Sequence, residues 1–131
     1  MAPQNKTLFL LVLLLLACPL GPQKTIWAER GSTTSRLSFG VGRVAGKPET
    51  LGVAVLSVSP CGPSMKNEVW HLDAIRNDVQ TSRILYGQAP EGFKEKSPAK
   101  PLTNGCYAVT IGEGGSEFDV KSDGSIIPRE Y

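Results

Sequence analysis

Along residues 37–41 hydrophobic and polar positions alternate. Leu37, Phe39 and Val41 share one parity, with Ser38 and Gly40 between them, which is the period of two expected of a strand with one buried face. The pattern returns in 69–76, where Trp70, Leu72 and Ala74 oppose His71 and Asp73, and again with Ile84 and Tyr86 in 83–86. Tyr107, Val109 and Ile111 alternate after Asn104-Gly105, and Phe118 and Val120 precede Asp123-Gly124, a hairpin-type pair from which Ile126 starts a return strand. Residues 51–58 are apolar on both parities, which predicts a strand covered on both faces or interrupted by a bulge. These seven runs at sandwich-like spacing predict an all-β chain, a small antiparallel β-sandwich of immunoglobulin-like size. Met65, Val69, Leu72, Ile75 and Val79 also fit helical spacing, so 64–80 admits an amphipathic helix; the strand is the favoured reading.

The first residues follow neither period. Lys6 precedes an unbroken apolar run, residues 8–17, which Pro19, Gly21 and Pro22 end. Crossing a bilayer takes about 20 apolar residues, so this run has the proportions of a signal sequence rather than a stable span. It closes on Leu15-Leu16-Ala17-Cys18, which resembles the bacterial lipobox. That resemblance implies cleavage before Cys18 and acylation of its thiol, and several acyl chains hold a protein on a membrane where one does not. The organisation expected is a lipoprotein-type signal peptide at 1–17, a flexible tether at 18–34 and the β-sandwich at 35–131. The competing assignment is an ordinary signal peptide cut after Ala28, in Ile26-Trp27-Ala28, where a small residue also stands at the cut.

The three cysteines fit this division. With Cys18 lipidated, Cys61 and Cys106 remain to pair in an oxidising compartment. Cys106 points opposite to Tyr107, Val109 and Ile111, which places such a bridge at the rim or outer face of a sheet. Fourteen basic against 12 acidic side chains, with only Lys6 lost by processing, leave no nucleic-acid footprint. Fourteen glycines and 10 prolines suit turns between short strands.

Val69-Trp70, Arg83-Ile84-Leu85-Tyr86-Gly87, Ala89-Pro90-Glu91-Gly92-Phe93, Pro98-Ala99-Lys100-Pro101-Leu102, Gly105-Cys106-Tyr107, and Phe118 followed by Asp123-Gly124 together resemble a group of small, uncharacterised bacterial envelope proteins. The resemblance covers roughly residues 69–126. It implies a β-rich, lipoprotein-like domain and carries no activity, because its motifs are turn and core residues.

Gly40-Val41-Gly42-Arg43-Val44-Ala45 matches the letters of a dinucleotide fingerprint, but Gly46, Lys47 and Pro48 follow at once and leave no room for the required helix. Pro60-Cys61-Gly62-Pro63-Ser64 resembles a thioredoxin-type site lacking its second cysteine. A helix beginning at Met65 would place Cys61 at its N-terminus and lower the thiol pKa. His71 and Asp73 share a strand face, yet no nucleophile motif accompanies them and no carboxylates cluster for a metal. The segment 87–102 holds Pro90, Phe93, Lys94 and Lys96 and is a candidate contact loop; alternatively it connects sheets, with Phe93 tucked onto the core.

The expectation is a non-catalytic domain, lipid-anchored on the exported face of a bacterial envelope membrane. It has no catalytic or metal residues, no cofactor and no evident small-molecule substrate. Its partners are the membrane and an unidentified envelope protein. Exported thioredoxin-like thiol chemistry at Cys61 and a small secreted enzyme inhibitor are the alternatives.

Overall fold

The computed structural model describes residues 23–62, 67–112 and 114–129. Among the described residues there are eleven strands: β1 (Thr25–Ala28), β2 (Ser38–Gly42), β3 (Leu51–Val53), β4 (Val55–Pro60), β5 (Trp70–Ala74), β6 (Val79–Thr81), β7 (Arg83–Leu85), β8 (Phe93–Ser97), β9 (Gly105–Ile111), β10 (Gly114–Val120) and β11 (Ile126–Pro128). All pairings are antiparallel, and the described residues contain no helix. The all-β reading of the sequence is what the chain adopts, and 70–74 is strand rather than helix.

A six-stranded sheet, β11-β10-β9-β4-β5-β8, forms one layer; the three-stranded sheet β1-β2-β7 and the pair β3-β6 complete the fold. Alternation decides what is buried. On β9, Tyr107, Val109 and Ile111 turn inward while Cys106, Ala108 and Thr110 do not. Trp70 and Leu72 of β5, Leu56 and Val58 of β4, and Phe118 and Val120 of β10 join them. Phe39 of β2 meets Phe118 at 5.8 Å between ring centroids, and Phe118 stacks on Tyr107 at the same separation. Burial of these side chains, each contributing about 1.5–3 kcal/mol against the cost of ordering the chain, supplies the main driving force.

Four strands exceed the seven expected. The apolar run 51–58 is two strands rather than one, because the chain leaves the β3-β6 pair at Ala54 and enters the large sheet at Val55. Both parities are apolar because two different surfaces claim them. β6 overlaps the end of the segment that also admits a helix, and β8 lies inside the segment 87–102 read as a contact loop or a connection.

β1 overturns the expected tether. Residues 25–34, assigned by the sequence to a flexible spacer, belong to the domain. Ile26, Trp27 and Ala28 are all buried, β1 pairs with β2 along its whole length, and the Ser116 hydroxyl donates to the Ile26 carbonyl at 2.6 Å. The turn that follows is also fixed. Glu29 N–H donates to Ser38 O, and the buried Ser32 hydroxyl accepts from Ser38 N–H. The signal segment and Cys18 lie outside the described residues.

The glycines of the fingerprint-like run have a packing role. Gly40 pairs directly with Trp27, and a β-carbon there would come within 2.6 Å of the indole ring. Gly40 and Gly42 form the floor on which the ring lies, and no helix follows them.

Candidate functional site

The outward face of β4, β5 and β8 carries a connected polar cluster. β5 alternates, so His71 and Asp73 share the face opposite Trp70 and Leu72. His71 Nε2 lies 2.8 Å from Asp73 Oδ1, and Nδ1 lies 2.6 Å from Glu68 Oε2. Glu68 also accepts a hydrogen bond from Ser57, which stands opposite His71 in the β4–β5 ladder. Lys96 Nζ approaches Asp73 at 3.7 Å.

With a carboxylate at each ring nitrogen, the imidazole is best served by carrying both protons. Partial burial alone would lower the His71 pKa, but the hydrogen bonds and charges of Glu68 and Asp73 outweigh it and hold the pKa above 6.5. Glu68 is lowered: partial burial opposes this, and hydrogen bonds from Ser57 and His71 overcome it. Asp73 is lowered chiefly by its hydrogen bond to His71. Chemically the cluster is a closed set of ion pairs. The Ser57 hydroxyl points its proton at Glu68 rather than at the imidazole, so the geometry is not that of a Ser–His pair activating a nucleophile. The sequence singles out His71 and Asp73 but misses Glu68, three residues before His71, and Ser57, which only the cross-strand register brings in.

The candidate contact loop is more ordered than a loop. Phe93 opens β8 and is buried in the core, while Lys94 and Lys96 are exposed on this strand at the edge of the large sheet. A register shift between His71 and Leu72 accommodates β8. Glu95 accepts from the buried Trp70 indole N–H at 2.8 Å. Charged side chains and an irregular register are how edge strands resist pairing with other chains. Pro90 precedes the strand, and its carbonyl accepts from Phe93 N–H. Further along, the Tyr86 hydroxyl donates to Lys100 O at 2.6 Å while its ring meets Trp70 edge-on at 5.1 Å. Burial pushes its pKa up to about 12.

Cys61 and Cys106 form a disulfide, with Cα atoms 5.4 Å apart. The bridge lies on the outer side of β9, as the parity of Cys106 requires. The Glu117 carboxylate lies 2.7 Å from Cys61 Sγ and 3.3 Å from Cys106 Sγ. Once the sulfurs are joined neither has a proton to donate, so this is a contact. Cys61, Cys106 and Glu117 also place one potential metal-ligand atom each within 4.8 Å of the others. The disulfide removes the thiolates that would bind a metal.

A shallow cleft of about 320 Å³ lies at the far end of β1, lined by Glu29, Arg30, Gly31, Ser32, Arg36, Ser38 and Arg83. Arg83 grips Glu29 through Nε at 2.6 Å and one terminal nitrogen at 3.0 Å.

Comparison with family profiles, with curated proteins and with solved structures finds no match to this chain.

Proposed function

We propose that this chain is an exported, lipid-tethered domain of the bacterial cell envelope that works by contact rather than catalysis. The observation that supports this most strongly is the burial of β1. An ordinary cut after Ala28 would remove Ile26, Trp27 and Ala28 from the core. It would also strip β2 of one of its two neighbours, leaving only β7. A cut before Cys18 leaves every buried residue among those described in place and creates the N-terminal cysteine that takes the lipid. The contact face in this reading is the charged outer surface of β5 and β8, with Lys94 and Lys96 beside the Glu68–His71–Asp73 cluster. Both imidazole nitrogens there are engaged by carboxylates, which favours a recognition surface over a general base.

Expression in a bacterial host tests the proposal. The chain should enter the detergent phase and incorporate labelled fatty acid, and Cys18→Ser should abolish both. A wild-type chain that is secreted in soluble form without label defeats the tether. Cross-linking through Lys94 and Lys96 should capture a discrete envelope partner, and Lys94→Glu with Lys96→Glu should lose it. Unaltered capture by the double variant moves the contact to another face.

A further inference from the structure

We infer that the end of the sandwich at which β1 begins is a membrane-contact surface, with Val44 and Ile75 seated at the headgroup level of an anionic bilayer. The inference rests on the tethering reading and adds an orientation to it.

Three segments meet at this end. Thr25 pairs with Gly42, so the turn 43–47 that caps β2 stands beside the incoming chain. Lys24 Nζ donates to Gly52 O at 2.8 Å and lies 3.9 Å from Asp78, which brings in the turn 75–78 after β5. Among the described residues, the large hydrophobic side chains most exposed to solvent are Ile75, at 64 %, and Val44, at 56 %. They occupy these two turns. Each has cationic company: Arg43 and Lys47 around Val44, and Arg76 next to Ile75. The acids of the same segments are engaged, Glu49 with Arg43 at 3.5 Å and Asp78 with Lys24. Apolar tips flanked by lysine and arginine suit an interface of acyl chains and anionic headgroups.

Chain length supplies the occupant. Between an acylated Cys18 and β1 stand only residues 19–24, which at full extension span about 20 Å. The start of β1 is therefore held close to the bilayer, and the two turns beside it face the lipid. Leu85 and Ile127, also partly exposed, lie elsewhere: Leu85 is paired with Ser38 at the opposite end of β2, and Ile127 of β11 is paired with Asp119 of β10.

The test uses the full-length chain, processed in a bacterial host, purified in detergent and reconstituted into phosphatidylglycerol–phosphatidylethanolamine vesicles. Val44→Cys, Ile75→Cys, Leu85→Cys and Ile127→Cys are each labelled with a small fluorophore. All four positions are substantially exposed, so the core is untouched, and circular dichroism checks that the β-rich spectrum is kept. Headgroup-level spin-labelled lipid should quench the probes at 44 and 75 at least about twofold, and leave those at 85 and 127 unchanged. Equal quenching at all four positions, or none, in protein that carries acyl groups and floats with the vesicles overturns the orientation and leaves the tether standing. Protein with unmodified Cys18 that does not float with vesicles overturns both. Undiminished quenching in purely phosphatidylcholine vesicles overturns the role given to Arg43, Lys47 and Arg76.

Discussion

His71 is the single histidine of the chain, so its titration can be followed without ambiguity. Its folded-state pKa lies above 6.5, so the charged ring contributes stability fully present below that pH and lost as pH rises through the raised value. Glu68 and Asp73, held below 4.5 and 3.8, contribute above those values and lose it as pH falls through their lowered ones. The cluster is therefore most effective in mildly acidic solution, between roughly pH 4.5 and 6.5. Proton NMR of the imidazole should give a midpoint above 6.5, and Glu68→Gln with Asp73→Asn should bring it to 6.5 or lower. A wild-type midpoint below 6.5 would show that burial outweighs the carboxylates. Gly40 permits a second residue-scale prediction. Gly40→Ala sets a methyl group into the Trp27 ring, and overpacking of this kind costs about 1–3 kcal/mol. Its thermal melt should fall by several degrees or more; an unchanged melt would mean that the ring is free to move aside.

Among the elements, β4 and β9 are adjacent in the large sheet and the disulfide clamps them where they end and begin, closing a sequence separation of 45 residues. In the chain-entropy description a loop of that length contributes about 4 kcal/mol. Reduction should therefore lower the melting temperature by roughly 10 °C or more. Melts with and without reductant, with thiols counted in the denatured chain, check this; two free thiols in protein from an oxidising compartment would contradict it. The strands that the sequence makes legible have one wet and one dry face over several residues, as 37–41 and 107–111 do. β8 is hidden because Lys94, Glu95 and Lys96 give it the charged character of an edge. β1 is hidden because it is four residues long and both its faces are covered, Ile26 by the core and Trp27 by contact with the glycines of β2. The break at Ala54 is hidden because periodicity reports burial and not which sheet provides it. The candidate site follows the same rule. Two residues apart on one strand, His71 and Asp73 declare their shared face, whereas Ser57 joins them only through the β4–β5 register.

For the whole molecule, the place where the mature chain begins and the completeness of the fold are one question. β1 lines the core beside β2 and closes against β10 through Ser116, so a chain starting at Glu29 lacks part of its own interior. Losing Ile26 and Trp27 alone removes contacts of the kind that cost about 2–5 kcal/mol each, comparable to the stability of a typical domain. The most direct test is the intact mass of the mature protein recovered from a bacterial host. The expected mass is that of a chain beginning at Cys18 and heavier than its sequence by the mass of its acyl groups. An unacylated, folded, soluble chain beginning at Glu29 would contradict it.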